Sequence, residues 1–182
     1  MPEEKITWGA RFVGHLARLR DGGDRGALAV LRRALQRPPG DDPAAFPFVV
    51  PYLEDAKSRW EEDAAFLVAS LFASHPDAGG SGTLGKAFRT LAAKTNGESV
   101  ERRFVALLGA RGEPLHHHLR HAVSLLRAGG VPVGWARLLT DVLWWEKGDG
   151  SVQRRWAKDF WGYTRETESD KASAAEAVRE ER

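Results

Sequence analysis

Four arginines and no acid stand in the segment Arg25 to Arg37, RGALAVLRRALQR. At about 100° per residue, Ala27, Leu28, Val30, Leu31, Ala34 and Leu35 fall on one side of a helix. Arg25, Arg32 and Arg33 fall on the other. Such a helix buries one stripe and holds guanidinium forks in water, where they match phosphate oxygens in charge and geometry. The plainer alternative is a solvated face whose ionic partners lie elsewhere in the fold. Basic residues recur along the chain at Lys57 and Arg59, Lys86 and Arg89, Arg102-Arg103, Arg111, Arg120, Arg127 and Arg154-Arg155. They are far apart in sequence, so the fold decides whether one surface gathers them.

Two other constellations invite a chemical reading. Gly80-Ser81-Gly82-Thr83-Leu84-Gly85-Lys86 has the glycine and lysine spacing of a phosphate-cradling P-loop. Ala87 then stands where a hydroxyl would ligate magnesium, and the preceding AAFLVASLFASHP reads as a helix, not a strand. The segment therefore reads as a loop that leads into a helix carrying Lys86 and Arg89 near its start, where a phosphate could sit. His117 and His121 are four apart, a helical spacing able to hold one metal ion. No HExxH pattern surrounds them and no third ligand is near in sequence. Leu115, Leu119, Ala122 and Leu126 form the apolar stripe of the same helix, so the histidines read as a polar face near a phosphate or a partner. No Ser-His-Asp set and no paired carboxylates stand out. Nothing in the chain implies a cofactor.

Composition narrows the classes further. The chain has 182 residues, 42% of them hydrophobic and 29% charged, with a net charge of +2. This is ordinary for a globular domain, and any basic site must come from local clustering. The stretch from Thr164 carries six acids against four bases, so the residues before it are the more basic part. The absence of cysteine excludes disulfides, thiolate metal sites and thiol nucleophiles, and fits a cytoplasmic protein. The acidic start MPEEKITWGARF predicts no signal peptide, and no run of 18 apolar residues predicts a membrane span.

The elements that must position these residues are helical. A helix is expected from Thr7, as cap, to Arg20, and a second from Arg25 to Leu35, stopped by Pro38-Pro39-Gly40. Ser58 with Glu61 makes a capping box that opens a helix ending at His75-Pro76. Further helices are expected over 84–94, from a Ser99 cap to Gly112, from Pro114 to Gly129-Gly130, over 135–146 and over 151–163. No alternating strand or hairpin signal is present. The prediction is an all-α fold of eight or nine helices in two small bundles, 1–78 and 79–163, followed by a polar tail, 164–182, expected to be disordered. Seven tryptophans default to core packing.

The order of several short pieces carries a family resemblance. They are Leu31-Arg32-Arg33, the helix from Trp60 through Leu67 to His75, and Thr83-Leu84-Gly85-Lys86-Ala87. Glu101-Arg102-Arg103-Phe104 with Leu107-Leu108 follows, then Leu119-Arg120. Trp135, Leu138-Leu139, Asp141, Trp144-Trp145 and Trp156 with Phe160 complete the series. Over positions 8 to 163 the chain resembles the CasB small subunit of the type I-E CRISPR surveillance complex, Cascade. That resemblance implies a non-enzymatic, two-bundle helical subunit that packs with other Cascade proteins and with a second copy of itself. It also implies contacts to the backbone of the guide RNA–target DNA heteroduplex and to the displaced strand. On this reading the nucleic-acid-binding residues are Arg32, Arg33, Arg59, Lys86, Arg89, Arg102, Arg103, Arg111, Arg120 and Arg154. Two rivals remain open at this point: a helical protein–protein scaffold without nucleic-acid contact, and a metal-dependent hydrolase using His117 and His121.

Overall fold

A computed structural model describes residues 2–77, 79–147 and 149–162. Among them the chain forms α1 (Pro2–Asp21), α2 (Arg25–Ala34), α3 (Phe46–Val49), α4 (Arg59–Ser74), α5 (Leu84–Lys94), α6 (Gly97–Gly109), α7 (Glu113–Ala128), α8 (Trp135–Trp145) and α9 (Ser151–Trp161), with no strand. The short α3 lies between 3₁₀ turns at Pro43–Ala45 and Val50–Tyr52. The all-α expectation holds, and the tail expected to be disordered lies outside the described residues.

Capping chemistry explains several helix starts. Ser58 accepts from the Glu61 amide at 3.3 Å. Glu61 reaches back to the Lys57 amide at 2.8 Å, one residue earlier than a standard capping box. Asp24 caps α2 by accepting from the Ala27 amide at 2.9 Å. Two expected starts move. α1 begins at Pro2 rather than after Thr7. The cap of α6 is Asn96, which accepts from the Ser99 amide, so the helix starts two residues before Ser99.

α4 is the central rod. Eleven of its 16 residues are buried, including every position from Ala64 to Ala73. The buried surface is thus not confined to one face: small alanines let neighbours approach on every side. α2 packs along α4, and α8 packs against both α1 and α4. α5 lies against α6 and α9, and α7 joins α6 to α4. His75, fully buried after α4, donates through Nε2 to the Val131 carbonyl at 2.8 Å and ties that end to the loop after α7.

The P-loop-like segment has a packing explanation. A Cβ at Gly85 would run into the backbone carbonyl of Trp156, so the glycine lets α5 lie directly on α9. Gly82 has φ +81°, a left-handed turn that only glycine adopts cheaply. Thr83 caps α5 and its hydroxyl donates to the Asp159 carboxylate on α9.

Candidate nucleic-acid interface

α7 presents the richest surface. Gly112 begins it at φ 56° and Pro114 occupies its first turn. Leu115, Leu119, Ala122, Val123 and Leu126 are buried, as the apolar stripe requires. That leaves His117 and His121 exposed and His116, His118 and Arg120 half-buried. Two depressions flank this helix. A groove of about 400 Å³ between α6 and α7 is lined by Arg103, His117, His118, His121 and Ser124 over an apolar floor that includes Phe88 and Leu125. A cleft of about 690 Å³ lies where the starts of α4 and α7 meet the turn after α2, and Arg37, Arg59, Trp60, Asp63, His116 and Arg120 line it. His117 lines both and forms the ridge between them.

The two depressions differ in charge. In the cleft Arg59 pairs with Asp63 at 3.1 Å, and Asp41 and Glu113 also stand in the wall. Trp60 stacks on His116 with centroids 5.9 Å apart. Trp60 Nε1, His116 Nε2 and Arg120 Nε are buried there without a hydrogen-bond partner among the described residues. Burial holds the His116 imidazole below its ordinary pKa, against the pull of Asp63 and Glu113. Among the described residues, the groove has no carboxylate in its wall. His121 is also held below its ordinary pKa, first by burial and then by His117, His118, Arg120 and Arg103. Each of those four neighbours is an arginine or a protonatable imidazole.

The structure gathers some expected residues and separates others. Arg59 and Arg120 share the cleft, and Arg103 reaches the groove beside it. Arg37 joins them. It was missed because it follows the expected end of α2, although it belongs to the same arginine-rich segment. Arg32 and Arg33 are exposed on α2, as expected, but Arg32 donates to the Ala73 carbonyl at 3.2 Å. Neither arginine lines the cleft, although Gln36 and Arg37 from the turn that follows them do. Arg102 sits in a shallow depression with Glu98 and Glu101. Arg111 closes the end of α6, donating to the Ala110 carbonyl at 2.8 Å with its guanidinium over Trp145. Lys86 is exposed at the start of α5, Arg89 donates to the Gly162 carbonyl at 3.3 Å, and Arg154 is exposed on α9. None of these last five lines either depression.

The metal-hydrolase rival would need a third ligand beside His117 and His121. The His117 and His121 rings lie 4.3 Å apart, yet no group of three or more metal-ligating side chains forms among the described residues. Nor is any of their helices long and apolar enough to cross a membrane. Of the tryptophans, Trp8, Trp135, Trp145 and Trp156 are core residues. Trp144 and Trp161 depart from that default and are exposed: the Lys147 ammonium stands 4.5 Å over Trp144, and Trp161 donates to Glu101.

Comparison with known proteins agrees with this architecture. The family model of CRISPR-associated protein Cse2 matches residues 27–161. A Cse2 protein of Thermus thermophilus is 40% identical over 162 residues, which cover 85% of this chain and 90% of that one. The crystal structure of CasB from Thermus thermophilus superposes with a TM-score of 0.74 at 39% identity, over 85% of this chain and 98% of that one. A chain in a structure of a CRISPR RNA-guided surveillance complex gives a TM-score of 0.79 at 26% identity, over 92% of this chain and 99% of that one.

Proposed function

Because this chain belongs to the CRISPR-associated Cse2 family, we propose that it is a non-catalytic subunit of an RNA-guided surveillance complex of the Cascade kind. In that setting it holds the guide RNA–target DNA heteroduplex and the displaced strand by their backbones, beside other Cascade subunits and a second copy of itself in the cytoplasm. The observation that carries the reading is the juxtaposition of Arg37, Arg59 and Arg120 with Arg103 across the His117 ridge. The likeness to a chain of a CRISPR RNA-guided surveillance complex supports it.

The mechanism is electrostatic. Guide pairing reads the sequence, and exchanging a DNA duplex for a heteroduplex is nearly balanced in energy. A subunit that binds backbone only in the opened state tips that balance. Guanidinium groups do so without reading bases, because phosphate carries no sequence. Arg59 enters from the start of α4 and Arg103 from α6, so the two come from separately packed helices.

The test is anisotropy of labelled single-stranded DNA, duplex DNA and RNA with the full chain and with the assembled complex. Four phosphates neutralised on a single strand imply about 50-fold weaker binding when salt rises from about 50 to 200 mM. Sequence-independent binding with that salt response supports the reading. Failure to bind in both settings overturns it in favour of a helical scaffold without nucleic-acid contact. The exposed Val105, Trp144 and Trp161 are the observation that favours the scaffold.

A further inference from the structure

We propose that the groove between α6 and α7 is a proton-linked phosphate site: it binds a phosphodiester group of nucleic acid and takes up protons on its histidines as it does so. The inference rests on the nucleic-acid reading above and assigns it a site and a pH response.

The argument starts from charge balance. Arg103 enters the groove from α6, and His117, His118 and His121 enter from α7 with Ser124 beside them. α5, which packs against both helices, contributes Phe88 to the lining and no titratable group. On the far side of α7, Asp63 of α4 acts on His116 in the cleft, as do Glu113 and Glu146. The charges that bear on His121 are instead His117, His118, Arg120 and Arg103. The groove is therefore a concentration of cationic and protonatable groups from two helices, with no acid in its wall among the described residues.

Ring geometry makes occupancy and protonation depend on each other. The His117 and His121 centroids are 4.3 Å apart, and those of His117 and His118 are 6.0 Å apart. A proton added to His121 meets the charge of these neighbours. An anion among them reverses the sign: each protonated ring gains a partner and a donor. Bound phosphodiester must then raise the imidazole pKa values. By linkage, lowering pH must strengthen binding by up to about tenfold per pH unit for each proton taken up. Phosphodiesters and thymine do not titrate between pH 5.5 and 7.5, so a thymidine oligonucleotide assigns the effect to the protein.

The experiment uses the full chain with a single-stranded thymidine oligonucleotide at fixed ionic strength. Affinity is measured from pH 7.5 to 5.5, and the histidine ring resonances are titrated by NMR with and without the oligonucleotide. The expected result is tighter binding at low pH, with His121 titrating at higher pH in the complex. His117→Gln with His118→Gln and His121→Gln is expected to flatten the profile, whereas Arg103→Gln weakens binding at both ends and keeps the slope. Thermal melts at pH 5.5 establish that each variant is folded. Salt-dependent binding with no pH response, or an equal response in the triple variant, overturns the groove assignment and leaves the nucleic-acid reading intact. An equal pKa rise with inorganic phosphate at the same phosphate concentration also overturns it, because the groove then takes the free anion as readily as the polymer. Absence of binding at every pH, by the chain alone and in the assembled complex, overturns both.

Discussion

Replacing Asp141 by alanine should loosen the joint between α8 and α9 more than any surface substitution. Asp141 is fully buried. Its Oδ1 accepts from Arg137 Nε at 3.0 Å and Arg155 Nη2 at 2.6 Å, and its Oδ2 accepts from Trp156 Nε1 at 2.6 Å. A hydrogen bond to a charged group contributes about 1.5–3 kcal/mol, but the three do not sum, because removing the carboxylate also removes its desolvation cost. Both arginines are about 40% exposed and can recover water. The Trp156 N–H cannot, because its residue is fully buried, and an orphaned donor costs about 1–3 kcal/mol. Breaking a buried pair costs about 3–5 kcal/mol, and discounting for the arginines leaves about 3 kcal/mol. For a chain of this size that is a fall in Tm of about 6–12 °C. Asp141→Asn keeps the shape and one acceptor, and should cost roughly half as much. Circular dichroism melts of the wild type and both variants provide the assay. A change in Tm under about 2 °C for Asp141→Ala would refute the reasoning, since it would mean that the network is not needed to hold the two helices together.

Three other substitutions and conditions have expected outcomes. Gly85→Ala places a methyl group against the Trp156 carbonyl and should destabilise by about 1–3 kcal/mol, whereas Gly109→Ala meets nothing and should be neutral or slightly stabilising; equal Tm values for the two would contradict the packing account. His15, His116 and His121 are all held below the ordinary histidine pKa, chiefly by burial. The unfolded chain therefore binds more protons below about pH 6.5, so urea stability should be full above that pH and fall as the solution is acidified toward 5.5; stability flat or rising on acidification would contradict it. Arg32→Glu with Arg33→Glu should lower the salt slope of target binding by the assembled complex by about 0.7–0.9 for each phosphate that is no longer neutralised, and an unchanged slope would remove α2 from the interface.

Helix positions were readable in the sequence wherever a cap or a breaker fixed them. Ser58, Pro114 and Gly129 all stand where expected, because their effect is local. The start of α6 moved because Asn96 and Ser99 both compete as caps, and the asparagine wins with glycine following it. Burial all around α4 was not readable, since its alanines fit a solvent face as well as a close approach. The same limit applies to the site. The arginine face of α2 could be read from periodicity, but the meeting of Arg59, Arg103 and Arg120 depends on how α4, α6 and α7 pack. The arginines that line neither depression are no less basic in sequence. Arg111, for one, meets a carbonyl and an indole instead. The histidine cluster was visible as a polar face, but its one-signed surroundings became visible only when Arg103 came across from α6.

The most direct test of the interface is the salt slope of single-stranded DNA binding for the wild type and for Arg59→Gln with Arg103→Gln and Arg120→Gln, measured in the assembled complex. Removing the charges that neutralise three phosphates should reduce the slope by about 2 while leaving residual binding through other subunits. A slope equal to that of the wild type, in a triple variant that still assembles and melts normally, would contradict the assignment of this surface to nucleic-acid backbone.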